Sequence, residues 1–374
     1  MPTVVDSKEI IHITSKCKGC DHCRKICPVQ AIEGKLGERH KINQDTCLRC
    51  GQCLINCPFE AIEDLSMTGK IKKALKDPKV FTVTQVAPAV RVALGEEFGL
   101  EPGSNVKGKM FTALRKLGFD KVYDTEFAAD LTIMEEGNEL IERITHAKDK
   151  LPMFTSCCPA WIKYAEDHYP SLLKYLSTSK SPMQMFGAIA KTYGAEKLNV
   201  DPSTMFSAAV MPCTAKKYEC QREEMTASGY QDVDAVFTTR ELAQMIKEAG
   251  IDFLNLPDGK ADRLIGTSTG AATIFGVTGG VMEAALRTAY EVITGKTLPK
   301  LEFKQVRGFA GIREATVDIA GMQLNVAIVT GSKNVDKVVN GVMTGRNKYH
   351  FVEVMNCSGG CINGGGQPIR HDYL

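Results

Sequence analysis

Residues 17–34 read CKGCDHCRKICPVQAIEG, and residues 47–64 read CLRCGQCLINCPFEAIED. The second stretch repeats the first at an offset of thirty residues, and each is C-x2-C-x2-C-x3-C-P. In this bacterial run, three cysteines of one stretch hold a [4Fe–4S] cluster and the fourth crosses to the other cluster. The spacing assigns Cys17, Cys20, Cys23 and Cys57 to one cluster. It assigns Cys47, Cys50, Cys53 and Cys27 to the second. Pro28 and Pro58 are expected to end each ligand loop and turn the chain into a short helix. Zinc knuckles also use C-x2-C, but they need neither the third cysteine nor the duplicated C-P. The repeat therefore predicts an α+β ferredoxin-like domain over 1–66, an electron wire that does no bond chemistry itself.

Outward from this repeat, 67–79 (MTGKIKKALKDPK) reads as a short basic amphipathic helix stopped near Pro78. Its lysines suit either a solvated linker or a dock for an acidic electron donor. From 80 to 374 short apolar runs alternate with helical periodicity. The expected strands are 80–87, 152–156, 205–211, 326–331 and 351–355; the clearest helices are 181–198 and 239–250. Such alternation implies an α/β domain with parallel sheets flanked by helices, here read as two lobes with a boundary near residue 200.

The chain has 374 residues, fourteen cysteines and a net charge of +2. That charge points to neither nucleic acid nor a membrane surface. Clustered cysteines in a chain of this length suit metal in a reducing compartment better than a disulfide scaffold, so a cytoplasmic protein is expected. No charged and apolar leader opens the sequence. The uncharged stretch 264–282 nearly reaches membrane-spanning length, but its glycines and hydroxyl residues fit a packed core segment better. Glycine-rich 266–280 lacks G-x4-G-K-[ST] and is read as packing, not phosphate binding.

Three expected strands run into cysteine: 152–156 into Cys157 and Cys158, 205–211 into Cys213, and 351–355 into Cys357 and Cys361. Open α/β sheets bind ligands at the carboxyl ends of their strands. Thiolates gathered there suit a soft metal centre. The glycines around Cys361 are read as letting backbone approach a bulky ligand, with amides aimed at sulfurs and anions.

The loops TSCCPAW (155–161), MPCTAKKYE (211–219) and EVMNCSGGCINGGGQP (353–368) closely resemble the three signatures of [FeFe]-hydrogenases. The likeness runs from about Val80 to Pro368, and the double-cluster part resembles the family's N-terminal extension. The resemblance implies an enzyme of hydrogen metabolism in anaerobes, reducing protons to H2 or oxidising H2 at an H-cluster. That cofactor is a [4Fe–4S] cube joined to a two-iron unit bearing CO, CN⁻ and azadithiolate. The implied cube ligands are Cys158, Cys213, Cys357 and Cys361, with Cys361 the bridge. Lys216 would hydrogen-bond a cyanide. Met211, Pro212 and Met355, with the backbone at Ala87 and Pro88, would pack beside the two irons.

The resemblance also implies a proton path through Cys157, Glu136, Ser177 and Glu139, with Arg143 near its outer end. Taken alone, the i, i+3, i+7 spacing of Glu136, Glu139 and Arg143 suits a solvated acidic helix face. Ala160, Asn356, Ser358, Ala89 and Met183 depart from the usual family residues without removing a ligand. Cys220 has no role and is read as a buried thiol. The implied partners are a ferredoxin or similar low-potential carrier, H2 and protons, and maturation enzymes. Relatives continue past Pro368 or use a separate small subunit, so either the chain is truncated or a small subunit completes it. Ferredoxin-type clusters near about −400 mV match the proton couple near roughly −410 mV at neutral pH, so small driving forces suffice either way. The alternatives are a hydrogen-sensing regulator, from which the retained Cys157 argues away, and an iron–sulfur scaffold of the hydrogenase-like group, from which Lys216 and Cys361 argue away.

Overall fold

The computed structural model describes residues 9–266, 268–296, 311–319 and 321–369. They fall into two compact units. One comprises Met1–Thr125, Met183–Thr267 and Ile362–Leu374; the other comprises Glu126–Pro182 and Ser268–Cys361. The chain thus passes between units at 125/126, 182/183, 267/268 and 361/362, where the sequence reading drew one boundary near residue 200. Parallel neighbours need long crossovers, so strands of one sheet lie far apart in sequence. Periodicity marks a strand without saying which sheet it joins.

In the first unit, Ile11–Ile13 pairs antiparallel with Ile62–Asp64, and Ile32–Glu33 with Lys41–Ile42. The internal repeat extends to the backbone. Positive φ falls at Gly19 and Arg49, at Asp21 and Gly51, and at Gln30 and Glu60, each pair at the sequence offset. The amides of Ala31 and Ala61 donate to the sulfurs of Cys27 and Cys57 at 3.2 and 3.3 Å. The short helices, His22–Ile26 and Gln52–Ile55, precede the prolines and carry the third cysteine of each run. The order expected from sequence is therefore reversed. Proline disfavours helix at the residue before it, so Pro28 and Pro58 stop these helices, and a turn into a strand follows.

The linker helix spans Thr68–Lys76. It buries Ala74 and sets Ile71 in the core of the first unit, while Lys72 pairs with Glu248 at 2.5 Å on the outside. That core surrounds a four-stranded, wholly parallel sheet in the order Lys121–Asp124, Phe81–Val86, Met205–Met211, Ala235–Thr238. Its central strands are buried along nearly their whole length, as expected of a parallel sheet covered on both faces. The helix Thr239–Glu248 opens with a capping box. The Thr238 hydroxyl accepts from the Glu241 amide, and the Glu241 carboxylate accepts from the Thr238 amide.

The sheet of the second unit is mixed, in the order Ile312–Ile319, Met322–Thr330, Phe351–Met355, Met153–Phe154. The first pair is an antiparallel hairpin; the other two pairings are parallel. The long helix Glu126–His146 and the helix Gly280–Thr294 pack on this sheet through Leu140, Met282, Ala285 and Leu286 against Met153, Val326, Ile328 and Phe351. The glycine-rich stretch near residue 270 is packing. Its described part forms the short helix Gly270–Thr273, the turn Ile274–Gly276 and the start of Gly280–Thr294. A Cβ at Gly280 would overlap the Ile274 carbonyl. Among the described residues no helix is long and apolar enough to cross a membrane.

Candidate metal centre and proton path

Two cavities in the ferredoxin-like region are ringed by the two cysteine sets that the repeat singles out. Cys17, Cys20, Cys23 and Cys57 line one, with Ile13, Ala61 and Ile62. Cys27, Cys47, Cys50 and Cys53 line the other, with Ile11, Ile32, Ile42 and Leu48. Among the described residues no group of His, Cys, Asp or Glu is drawn tightly enough for a single metal ion. Burial pushes the Cys23 thiol up to about 11 and the Cys50 thiol up to about 12. A bare thiolate is therefore unfavourable in either cavity, and iron is what makes the ionised sulfur stable there. On these grounds the residues fit two [4Fe–4S] clusters.

The second of these loops abuts the Cys213 loop within the first unit. The Thr214 hydroxyl donates to the Arg49 carbonyl at 2.7 Å. A Cβ at Gly365 would overlap the Cys50 carbonyl, and one at Gly366 would stand 2.9 Å from Pro212 and 3.0 Å from the Cys213 nitrogen. The glycine run read from sequence as a ligand cradle is here a backbone-to-backbone contact. Cys213 follows strand Met205–Met211, whose end sits beside the turn at Ala87 and Pro88, with the Ala87 amide donating to the Val210 carbonyl at 3.1 Å. Gln367 ties this edge together by donating to the Ala89 carbonyl and accepting from the Thr239 hydroxyl. Met183, Met211 and Pro212 are buried. Lys216 pairs with Glu219 at 2.6 Å, which occupies one of three ammonium donors. Cys220 is buried, with its thiol pushed up to about 12 by burial, as a packing thiol should be.

Behind that loop, fully buried Lys217 ties the parallel sheet of the first unit to the ferredoxin-like region. It bonds Asp64 at 2.6 Å, the Leu65 carbonyl at 2.6 Å and Glu241 at 2.8 Å. Replacing Lys217 with methionine removes the one ammonium shared by Asp64 and buried Glu241, and leaves Glu241 without a cation. The expected cost is about 3–5 kcal/mol of stability, read as a lower denaturant midpoint, and an unchanged midpoint would contradict this account.

In the second unit, Cys157 and Cys158 follow strand Met153–Phe154, and Cys357 follows its parallel neighbour Phe351–Met355. All three cysteines thus leave the carboxyl ends of adjacent strands. Cys158 is the N-cap of helix Pro159–His168, with Pro159 in the first turn. Cys157, Cys158, Cys361 and Met355 share one apolar cluster with Ala129, Ile133 and Phe275. Gly359 and Gly360 both have positive φ, and a Cβ at Gly360 would press on the Val277–Thr278 backbone. Ala160 and Asn356 are buried and Ser358 is exposed; the Ser332 hydroxyl donates to Asn356.

The helix Glu126–His146 presents Glu136 inward, not to solvent. Glu136 is fully buried, and neither carboxyl oxygen has a hydrogen bond of good geometry, although the Ser177 hydroxyl and the Ser156 amide lie towards it. Burial raises its pKa to about 7, with the nearby carboxylates of Glu139 and Glu353 adding to the rise. Glu139 accepts from the Ser177 hydroxyl at 3.0 Å, from the Thr178 amide at 2.9 Å and from Arg143 at 2.6 Å. Arg143 is itself buried and also donates to the carbonyls of Lys150, Tyr175 and Leu176. It clamps Glu139 in place and is not an exit to solvent.

Sequence reading missed Glu353. This buried carboxylate in the middle of a strand accepts from the Gly279 and Met282 amides at 2.7 and 2.6 Å, capping the helix Gly280–Thr294. Burial raises its pKa to about 7. A lone charge within FVEVM was the available signal.

Residues 80–365 match the family model of the iron only hydrogenase large subunit, C-terminal domain, and 16–61 match the 4Fe-4S dicluster domain. The periplasmic [Fe] hydrogenase large subunit of Nitratidesulfovibrio vulgaris is 56% identical over 96% of this chain and 86% of its own length. Iron hydrogenase 1 of Clostridium pasteurianum is 49% identical over 83% of the chain, which spans only 54% of that relative. A solved [FeFe]-hydrogenase from Chlamydomonas reinhardtii superposes with a TM-score of 0.73 at 42% identity, covering 83% of this chain and 86% of the other. More distantly, cytosolic iron-sulfur assembly component 3 of Bos taurus is 32% identical over 88% of the chain and 72% of its own length.

Proposed function

Because this chain belongs to the [FeFe]-hydrogenase family, we propose that it interconverts two protons and two electrons with one molecule of H2, exchanging electrons with a ferredoxin-type carrier. The family's cofactors are two [4Fe–4S] clusters and the H-cluster, which supplies the redox centre where protons and electrons combine. In our assignment Cys158, Cys213, Cys357 and Cys361 hold it, with Lys216, Met211 and Met355 around it. Cys17, Cys20, Cys23 and Cys57 hold the outer cluster, and Cys27, Cys47, Cys50 and Cys53 the inner one beside the Cys213 loop. Electrons would enter at the half-open loop around exposed Cys20 and leave through the inner cluster.

The observation that carries the enzymatic reading is the wholly buried Glu136, with Ser177 towards it and Ser177 donating in turn to half-buried Glu139, which Arg143 clamps. Unlike Glu353, which is held by two backbone amides, Glu136 is held near neutrality without a structural partner of that kind, as a proton carrier requires. Cys157 would hold the proton at its sulfur and pass it inward; Glu136 would resupply it. After maturation the protein should evolve H2 from a reduced viologen or ferredoxin. Full iron loading without turnover would favour the scaffold reading suggested by the assembly-component relatives.

Glu136 also sets a pH dependence. Its carboxyl holds a proton below about 7 and loses it above. H2 evolution should therefore fall as pH rises through about 7. Glu136→Gln should lower the rate about 10²-fold and flatten that limb of the pH–rate profile, with iron content unchanged. A wild-type profile retained at full rate in the variant would remove Glu136 from the path.

A small subunit and a cytoplasmic location complete the proposal. The first is supported by the words "large subunit" in the name of the Nitratidesulfovibrio relative. The second rests on the reducing environment that free thiols prefer. The same relative's name is periplasmic, so protease protection in intact cells is the measurement that separates the compartments.

A further inference from the structure

The two cluster loops share their backbone but not their charge. At one matched position the first loop has Gly19 and the second has Arg49, both with left-handed φ, 65° and 59°. A non-glycine residue is uncommon there. Arg49 is 3% exposed. One guanidinium NH2 group donates to the Cys47 carbonyl at 2.8 Å and the other to the Gln44 carbonyl at 3.3 Å, while the plane lies 4.4 Å over the Tyr218 ring. Its Nε is buried with no acceptor, and among the described residues no carboxylate pairs with it. The Arg49 amide meanwhile reaches the Cys47 sulfur at 3.4 Å.

A buried guanidinium without a counter-ion is strongly unfavourable unless a negative charge stands beside it. Four thiolates carrying a cubane supply that charge, and Arg49 sits between two of them in sequence. The first loop differs. There no arginine is buried; His40 is buried instead, with Nδ1 against the Glu38 carbonyl and Nε2 against the Asp21 carboxylate at 2.7 Å. Asp21 is also paired with Arg24.

We propose that Arg49 is the counter-ion of the cluster held by Cys27, Cys47, Cys50 and Cys53, and that it sets this cluster at a higher reduction potential than its partner. An unpaired positive charge favours the more negative, reduced state of the cluster beside it. The electron then rests on the inner cluster, next to the Cys213 loop, and the wire slopes inward. This inference depends on the ligand sets assigned above. It does not depend on the enzymatic reading, because its test measures cluster potential and not turnover.

The test is an EPR-monitored redox titration of the matured full chain, with iron and sulfide counted in each variant. The two ferredoxin-like clusters should give two low-potential transitions, distinct from the signals of the H-cluster. Arg49→Gln and Arg49→Gly should both lower the upper one and leave the lower one in place. The expected change is about tenfold in the reduced-to-oxidised ratio, ~59 mV for one electron. Arg49→Lys, which keeps the charge, should restore most of the difference. An upper transition unmoved by Gln and Gly, movement of the lower transition instead, or a Lys variant shifted as far as Gln would overturn the proposal. If Gln loses iron, Gly decides, because it relieves the left-handed backbone. If both lose iron, retention of iron and potential by Lys supports the counter-ion role, and loss of iron by Lys as well overturns it.

Discussion

Cys361→Ser is expected to leave the protein folded, with both N-terminal clusters, but without the two-iron unit and without hydrogen turnover. Cys361 follows Gly359 and Gly360, whose positive φ turns the chain back so that Cys357 and Cys361 belong to one short loop at the end of strand Phe351–Met355. A serine hydroxyl fits the space but is a hard ligand where a soft bridging thiolate is needed. The ferredoxin-like cavities lie in the other unit and share no lining residue with this loop. Activity should fall to background while iron analysis still finds the ferredoxin clusters. Wild-type turnover in this variant would overturn the assignment of the bridge.

Cys157→Ala should lower turnover about 10³-fold, within the range usual for removing a positioned proton carrier, with iron content unchanged. Cys157 and Cys158 are neighbours with different surroundings. Cys158 is half-buried at the N-cap of helix Pro159–His168. Cys157 is 9% exposed and packs with Ala129 and Ile133 of the helix that also carries Glu136. The segment is fixed: the Thr155 amide donates to the Val352 carbonyl, the Val354 amide donates to the Thr155 hydroxyl, Trp161 donates to the Thr155 carbonyl, and the Ser156 hydroxyl donates to the Ser179 carbonyl. Losing one sulfur should therefore not displace the next. Cys157→Ser should be nearly as slow as alanine, because a hydroxyl releases its proton too reluctantly. Cys157→Asp should retain more activity, since a carboxylate can relay protons. Loss of iron from Cys157→Ala, to the extent expected of Cys158→Ala, would make Cys157 a ligand instead.

The cysteine sets around the two ferredoxin-like cavities were legible because ligand spacing in a short loop is a local property. The same holds for the strand ends that carry Cys158, Cys213 and Cys357, where an apolar run stops at a cysteine. What escaped was non-local. The hairpin Ile312–Ile319 with Met322–Thr330 mixes charged and apolar residues on a half-exposed edge, so no apolar run announces its first strand. The interleaving of the units depends on which strands pair across long crossovers. Gly365 and Gly366 looked like a ligand cradle, since glycine permits close approach without naming what approaches; in the fold it is the backbone of Cys50–Gly51 and of Pro212–Cys213. Glu136 and Glu139 looked like a solvated face by spacing, and only the fold reveals that Glu136 is wholly buried.

Infrared spectroscopy of the matured protein tests the central claim most directly, because CO and CN⁻ bound to iron absorb where protein does not. The account predicts such bands in the wild type, their persistence in Cys157→Ala and their disappearance in Cys361→Ser. A fully iron-loaded wild-type protein without those bands would contradict it.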